Sequence, residues 1–505
     1  MNTDDLLGSR LIHTPFGEKY FVNADYTASG TIYPPIEEYI RKNIFPFYSN
    51  VHSNAANGQR MASYVTQAKE RIRTAVNAQP CDKLIFTGNG CSGAVIQLIH
   101  VLKLHAAVRT TVYVSVAEHH SNYLPWTHLP VTLKIVPLTR LGLIDIGFLT
   151  EALGLEPAGQ QIICSFIAGS NVTGVLQPVY EIARLVHRFN GLIFFDFAAS
   201  APYTPINIHL NARDYFDAIF LSPHKFLGGP GTPGLLIANA KLFQNEVPFC
   251  PGGGTVRFVC KKFNHYMDDP ERRETGGTPN ILGCIKAGLV FQLKAELLPY
   301  IEKRDAEIAA WVHPALESMP GLKLIGPPVQ AKVAQIPVFS FVVRGLHYNM
   351  VVVLLNDLFG IQTRGGVSCC SVYAEHLFKL CRKKRNKIYT QIVTDRGVPG
   401  EYGWCRVSFH YTMSDAVVAY ILKAIRFIAQ YGVDFVPGYT YLPEKNIWEH
   451  RAGVLPVLPL LDYHQVSPEP EVKLTPGLLR QQYRAAINLA IRGKTIENKY
   501  NLETF

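Results

Sequence analysis

Charged side chains are scarce in this chain. Asp, Glu, Lys and Arg make up 17% of its 505 residues, while 48% are hydrophobic. That balance excludes a highly solvated, disordered polypeptide and predicts a well-buried globular protein of more than one domain. The chain has ten cysteines but no Cys-x-x-Cys pair, so neither a zinc ribbon nor a disulfide framework is indicated, and reduced thiols are expected. No uninterrupted apolar run reaches roughly eighteen residues, so no membrane span is expected. The opening Met-Asn-Thr-Asp-Asp-Leu-Leu-Gly-Ser-Arg lacks a cationic start followed by an apolar stretch. A secretory signal is therefore not expected, and the cytoplasm is the default location. Internal repeats and low-complexity tracts are missing too. The turn Phe86–Gly93 has neither the spacing of a Walker loop nor its Gly-Lys-Ser/Thr, which removes the nucleotide-binding reading.

What charge there is leans positive, with a formal net charge of +10. Nucleic-acid binders concentrate such charge, yet the only dense basic run is Lys379-Leu-Cys-Arg-Lys-Lys-Arg-Asn-Lys387. A single run reads as a solvated face, and no nucleic-acid partner is expected. A cationic excess also suits a protein that binds phosphate and carboxylate groups.

From about residue 80 to 240, short apolar runs alternate with helical patterns. Strands are predicted at Lys83–Thr87, Thr111–Val116, Gln161–Phe166, Gly191–Asp196, Ala218–Leu221 and Gly234–Ala238. The helix Pro178–Phe189 between two of them places Val179, Ile182, Ala183, Leu185 and Val186 on one face. The pattern predicts an α/β fold, a mostly parallel sheet with crossover helices on both faces. A Gly-, Pro- and charge-rich section, Phe249–Asn280, reads as loops, and a long helix is expected over Ile281–Ala306. After Gly321 the period changes, with a strand at Gln335–Val343, an amphipathic stretch Tyr348–Phe359, a strand Trp404–Phe409 and a helix Ser414–Tyr431. The expected organisation is an N-terminal segment 1–35 packing with the small domain, a large domain 36–300, a small α+β domain 301–432 and an extension 433–505. The extension, Pro-rich and then helical over Pro476–Arg492, reads as a docking or dimer-contact arm.

The sharpest local signal is Leu221-Ser-Pro-His-Lys-Phe-Leu-Gly-Gly-Pro-Gly-Thr-Pro-Gly234, a lysine on a turn between two apolar strands. By position alone Lys225 could be an exposed turn residue. Upstream, however, Phe194-Phe195-Asp196 ends an apolar strand with a carboxylate. Such a group needs a cationic partner or serves as a helix N-cap. The protonated pyridine of pyridoxal 5'-phosphate supplies that cation, and the lysine would carry the cofactor at the carboxyl edge of an open sheet. Phe86-Thr-Gly-Asn-Gly-Cys-Ser-Gly93, a turn opening the apolar helix Ala94–Leu104, makes a seat for its phosphate.

With these motifs in order, the sequence resembles the class V aminotransferase superfamily of fold-type I pyridoxal-phosphate enzymes, and within it the cysteine desulfurase and selenocysteine lyase branch. The resemblance spans roughly residues 20–430. It implies a fold-type I architecture, with Lys225 as the Schiff-base lysine and Asp196 on the pyridine nitrogen. His119, in Glu118-His-His-Ser-Asn-Tyr-Leu-Pro-Trp126, becomes the residue stacked on the ring. Asn171, in Ser170-Asn-Val-Thr-Gly174, lies against the phenolic oxygen. Gly90, Cys91, Ser222 and His224 fall around the phosphate. Thr278, in Gly277-Thr-Pro-Asn280, reaches the phosphate of a partner subunit, which implies a homodimer.

The same resemblance gives the substrate side. Arg406, in Trp404-Cys-Arg-Val-Ser-Phe, is placed at the substrate α-carboxylate, a task for a planar bidentate fork, with Arg364 beside it. Thr363-Arg-Gly-Gly-Val-Ser-Cys369-Cys370 is similar to the loop of the desulfurase nucleophile, which makes Cys369 that nucleophile and Cys370 an extra thiol. The Gly-Gly pair would let the loop swing between cofactor and acceptor. The implied reaction is L-cysteine to L-alanine, leaving a persulfide on Cys369 for a sulfur-acceptor protein. The sequence departs from the family where a frequent Gln is Ala199, where the usual His residues before the nucleophile are Val367 and Ser368, and in the extension. Two other readings therefore stay open: a different class V activity (aminotransferase, epimerase or C–S lyase) on another amino acid, and a degenerate scaffold.

Overall fold

Seven strands form the central sheet, and all but the edge strand Thr132–Val136 carry the apolar run of a strand covered on both faces. They are β1 (Asp82–Thr87), β2 (Thr110–Ser115), β3 (Thr132–Val136), β4 (Gln161–Ile167), β5 (Leu192–Asp196), β6 (Ala218–Leu221) and β7 (Gly234–Asn239). Their order across the sheet is β1-β7-β6-β5-β4-β2-β3, and only β7 runs antiparallel to its neighbours. The computed structural model describes residues 10–104, 109–394, 396–453 and 472–493. The α/β reading of the sequence is thus correct, and six of the seven strands were expected. The missed one, β3, lies at the edge: of its five residues only Val136 is buried, so it lacks the apolar run that marks the others.

Helices cover both faces. One core layer includes Tyr113, Phe166, Phe195, Ile219 and Ile237, the other Val112, Val114, Ile163, Phe194 and Phe220. These sets alternate along the same strands, as the two-residue repeat of a strand requires. Helix α1 (Gly90–Val101) opens directly after β1 and helix α2 (His120–Thr127) after β2, so both N-termini gather at the carboxyl edge of the sheet.

A second core lies beyond a helix that does not stop where the sequence suggested. Helix α3 runs Ile281–Glu317, through Pro299 and Pro314, so position 300 lies inside a continuous rod. Buried Ile301, Ile308, Val312 and Leu316 continue the apolar stripe past Ala306 and hold the last turns in place. The second core carries a four-stranded antiparallel sheet of β8 (Leu322–Ile325), β9 (Val338–Val343), β10 (Arg364–Gly366) and β11 (Trp404–Ser408), in the order β8-β9-β11-β10. The N-terminal segment joins it: Val22–Asn23 pairs in parallel with Ile361–Gln362, and Val22, Ala24 and Tyr26 are buried in this core. Within Phe249–Asn280, read as loops, Val256–Val259 and Asn264–Tyr266 form a small exposed hairpin followed by one helical turn, Pro270–Arg273.

Helix Asp415–Phe435 is apolar enough to cross a membrane by composition. Its Val418, Ile421, Ala424, Ile425 and Ile428 are instead packed inside the second core. The extension does not project as an arm within its described residues. Its helix Pro476–Gly493 buries Leu479 and Ala486 against the same core. Gln482 fixes it there, donating to the Phe359 carbonyl at 2.6 Å and accepting from the Tyr20 amide at 2.7 Å.

Candidate active site

The carboxyl ends of β5 and β6 deliver the first two polar groups. Asp196 is the last residue of β5 and only 4% exposed. One of its oxygens accepts from the Ala198 amide at 2.8 Å. Burial pushes this carboxyl above its ordinary range, while the Ala198 amide and the nearby Lys225 ammonium pull the other way. β6 ends at Leu221, and a single turn of 3₁₀ helix, Pro223–Lys225, turns Lys225 back over the sheet edge. Burial lowers the Lys225 ammonium below its usual value, against the pull of Asp196 and Cys91. A desolvated lysine that gives up its proton readily is a nucleophilic amine.

The turn before α1 is shaped by close approach. Gly90 sits at φ +56°, and a Cβ there would come within 2.8 Å of Ser222 Oγ and 3.0 Å of His224 Cε1. Ser222 Oγ accepts from the Cys91 amide at 3.0 Å, tying this turn to the lysine turn. The Cys91 thiol is buried against Asp196, and desolvation together with that carboxylate raises it well above the usual thiol range. Burial also holds His224 down to about 4, so it is neutral at physiological pH.

His119 caps α2 through its own ring, whose Nδ1 accepts from the Ser121 amide at 3.1 Å. Burial, with Lys225 nearby, lowers it to about 3, so the ring is uncharged and suited to stacking. Asn171 is committed to the cysteine loop: its amide donates to the Ser368 carbonyl at 2.9 Å, and its oxygen accepts from the Cys370 thiol at 3.2 Å.

The second domain closes the pocket with Arg364, Ser368, Cys369 and Arg406, which line the same 220 Å³ cavity as His119, Asn171, Asp196, Ser222, His224 and Lys225. Arg406 is no surface strand residue; it is 3% exposed. Cys369 is exposed at the pocket, and Cys370 beside it is buried and pushed up to about 12 by desolvation. Thr278 lies outside this cavity on an exposed loop, where it accepts from Asn50 Nδ2 at 3.0 Å.

The two glycines before the cysteine loop serve different ends. Gly365 and Gly366 belong to β10, and a Cβ on Gly365 would meet Asn349 Oδ1 at 2.0 Å. Close packing calls for glycine at 365, whereas Gly366, at φ +108° with open space around it, is there for its backbone conformation. The loop that follows is pinned. The His120 amide donates to the Cys369 carbonyl at 2.8 Å, His120 Nε2 accepts from the Ser371 amide at 3.1 Å, and Trp404 Nε1 donates to Ser368 Oγ at 3.0 Å. Ser368 and Cys369 both adopt positive φ, +53° and +56°, a strained pair that these bonds sustain.

Sequence reasoning missed His120, Trp404 and Asp25. Asp25, from the N-terminal segment, bonds to Arg406 at 2.8 Å and Arg364 at 3.2 Å. No local motif marks it; the one available signal was a buried-type segment, Val-Asn-Ala-Asp-Tyr, carrying an acid.

A strand-end aspartate, a half-buried lysine on the next strand's turn and a glycine-opened helix N-terminus define a pyridoxal-phosphate type of site, and the comparisons agree. The chain belongs to the aminotransferase class-V family, whose model matches residues 22–421. It is 27% identical over 340 residues to a probable cysteine desulfurase of Halalkalibacterium halodurans, covering 66% of this chain and 79% of that one. It is 31% identical over 258 residues to probable cysteine desulfurase 2 of Mycobacterium leprae, covering 50% and 58%. Among solved structures it is similar to the apo cysteine desulfurase of Thermococcus onnurineus, with a TM-score of 0.68, 22% identity and 81% and 95% coverage. It is also similar to the cysteine desulfurase CsdA (S-sulfonic acid) of Escherichia coli, with a TM-score of 0.64, 23% identity and 80% and 93% coverage. Enzymes of this family depend on pyridoxal phosphate. The residues present fit it: a buried acid, a desolvated lysine, an uncharged imidazole and an anion seat where only glycine has room at position 90.

Proposed function

We propose that this protein is a pyridoxal-phosphate-dependent cysteine desulfurase that converts L-cysteine to L-alanine and keeps the sulfur as a Cys369 persulfide. The observation that carries this reading is the exposed Cys369 thiol lining the same cavity as Lys225, Asp196 and Arg406. When bound, the cofactor supplies an electron sink for the bonds at the substrate α-carbon. Lys225 would hold it and move the α-proton. Asp196 would keep the pyridine nitrogen protonated, and His119 would stack on the ring. Gly90, Ser222, His224 and the Cys91 amide surround the phosphate seat, with Thr278 offered to the second copy of a homodimer.

Arg406, with Arg364, orients the substrate carboxylate so that its sulfur faces Cys369. The carbon–sulfur bond breaks, its electron pair stays with carbon and is protonated, and a sulfur–sulfur bond forms to Cys369. Cysteine plus thiol thus becomes alanine plus persulfide, with no outside oxidant. The hydrogen bonds on the loop favour a sulfur-acceptor protein that comes to Cys369. All ten cysteines are free, which supports a reducing compartment such as the cytoplasm.

The test is Cys369→Ala supplied with L-cysteine. Alanine formation is expected to fall by about 100-fold or more with the cofactor still bound. Alanine production at the full rate would remove the desulfurase reading and favour another class V reaction.

A further inference from the structure

β10 and β11 pair so that Arg364 stands directly opposite Arg406. Like charges in that register repel, and a strand pair avoids them unless something compensates. Here the compensation is one buried carboxylate from a distant part of the chain. Asp25, 6% exposed, accepts from Arg406 at Oδ1 over 2.8 Å and from Arg364 at Oδ2 over 3.2 Å. Asp25 is not among the cavity-lining residues, whereas both arginines are. It therefore stands behind them and presents them to the ligand.

The anchoring of Asp25 matches that task. Ala24 donates its amide to the Gln362 carbonyl and accepts from the Ser408 amide, so the segment is wedged between the two strands' ends. Thr27 Oγ1 shares a 2.6 Å hydrogen bond with Ser408 Oγ on the other side of Asp25. Arg406 spends a second donor on the Asn171 carbonyl at 3.2 Å, while its Nε is buried with no acceptor among the described residues. The guanidinium thus keeps hydrogen-bonding capacity for an anion. Two cations and one anion leave a single net positive charge, which matches one carboxylate.

We propose that Asp25 is a positioning and specificity residue: by orienting Arg406 and cancelling one of the two arginine charges, it tunes the site to amino acids bearing one carboxylate and against those bearing two. The inference rests on Arg406 receiving the substrate carboxylate, as in the function proposed above, but not on desulfuration.

The test is a binding titration of the cofactor-loaded protein, read by the cofactor's absorbance, with L-alanine and with L-aspartate. The wild type is expected to favour alanine. Asp25→Asn is expected to weaken alanine by about tenfold and shift the alanine-to-aspartate ratio toward aspartate by more than that, with the cofactor band itself unchanged. The double variant Asp25→Asn with Arg364→Gln restores the net charge of the cluster. It is expected to return the ratio toward alanine, and it keeps the test open if the single variant folds poorly. An unchanged ratio in Asp25→Asn, or a double variant no different from the single, overturns the proposal. Alanine-to-aspartate selectivity is independent of Cys369, so loss of the desulfurase reading alone would leave this result standing.

Discussion

The two walls of the pocket are built differently. On the sheet side, Asp196, Lys225 and His119 each sit at or just past the carboxyl end of a strand, held mostly by bonds within a few residues. On the small-domain side, Arg406, Arg364 and Cys369 are held by partners hundreds of residues away: Asp25, Asn171 and His120. The first wall is a property of strand ends and turns. The second exists only when three distant segments meet. The difference teaches where each kind of chemistry is secured: cofactor attachment by local geometry, substrate orientation by long-range assembly.

The largest expected effect tests the sheet wall. Lys225→Ala should abolish turnover, by about a thousandfold or more, and remove the visible absorbance of protein-linked cofactor. A variant that kept that absorbance would show that another group carries the cofactor and would dissolve the contrast between the walls.

An intermediate effect is expected where the walls touch. His120 follows the stacking residue His119 and clamps the cysteine loop through the Ser371 amide. His120→Ala should slow alanine formation from L-cysteine by about tenfold through misplacement of Cys369, while the cofactor spectrum stays as in the wild type. A changed spectrum with normal turnover would place His120 on the cofactor side instead.

The smallest effect concerns the scaffold of the second wall. His410 is fully buried, stacked on Tyr26 at 3.9 Å, with Nδ1 on Thr412 Oγ1 at 2.7 Å, and burial holds it down to about 3. Its folded value lies below its unfolded one, so the unfolded chain takes up the proton first. The contribution to stability is present above about pH 6.5 and is lost as pH falls toward 3. At pH 5 that loss is about 2 kcal/mol relative to pH 7.5. Urea unfolding of His410→Gln at both pH values should show the acid-induced loss reduced by that amount. An identical loss in the variant would assign the acid sensitivity to other groups.

How much was legible follows the same division. The strands from Lys83 to Ala238 could be read because each is buried on both faces and so is continuously apolar. β3 escaped because an edge strand needs no such run. Lys225 and Asp196 could be read because a charge at the end of an apolar strand must have a reason. Cys369 and Arg406 were reached through resemblance, and the structure then brought them to the same cavity as Lys225. Gly365 misled, since sequence cannot tell a glycine chosen for freedom, as Gly366 is, from one chosen for the approach of Asn349. The extension likewise hid its docking. Leu479, Gln482 and Ala486 look like one face of any amphipathic helix until Tyr20, Phe359 and Tyr420 are seen to receive it.

By itself, the sequence determined the sheet, the turn that carries Lys225 and the placement of Asp196, because strand burial and turn chemistry act over a few residues. Only the tertiary structure decided that Arg364 faces Arg406, that Asp25 stands between them and that the Cys369 carbonyl is bonded by the His120 amide. Those outcomes depend on register and on contacts between segments far apart in the chain, which no local pattern encodes.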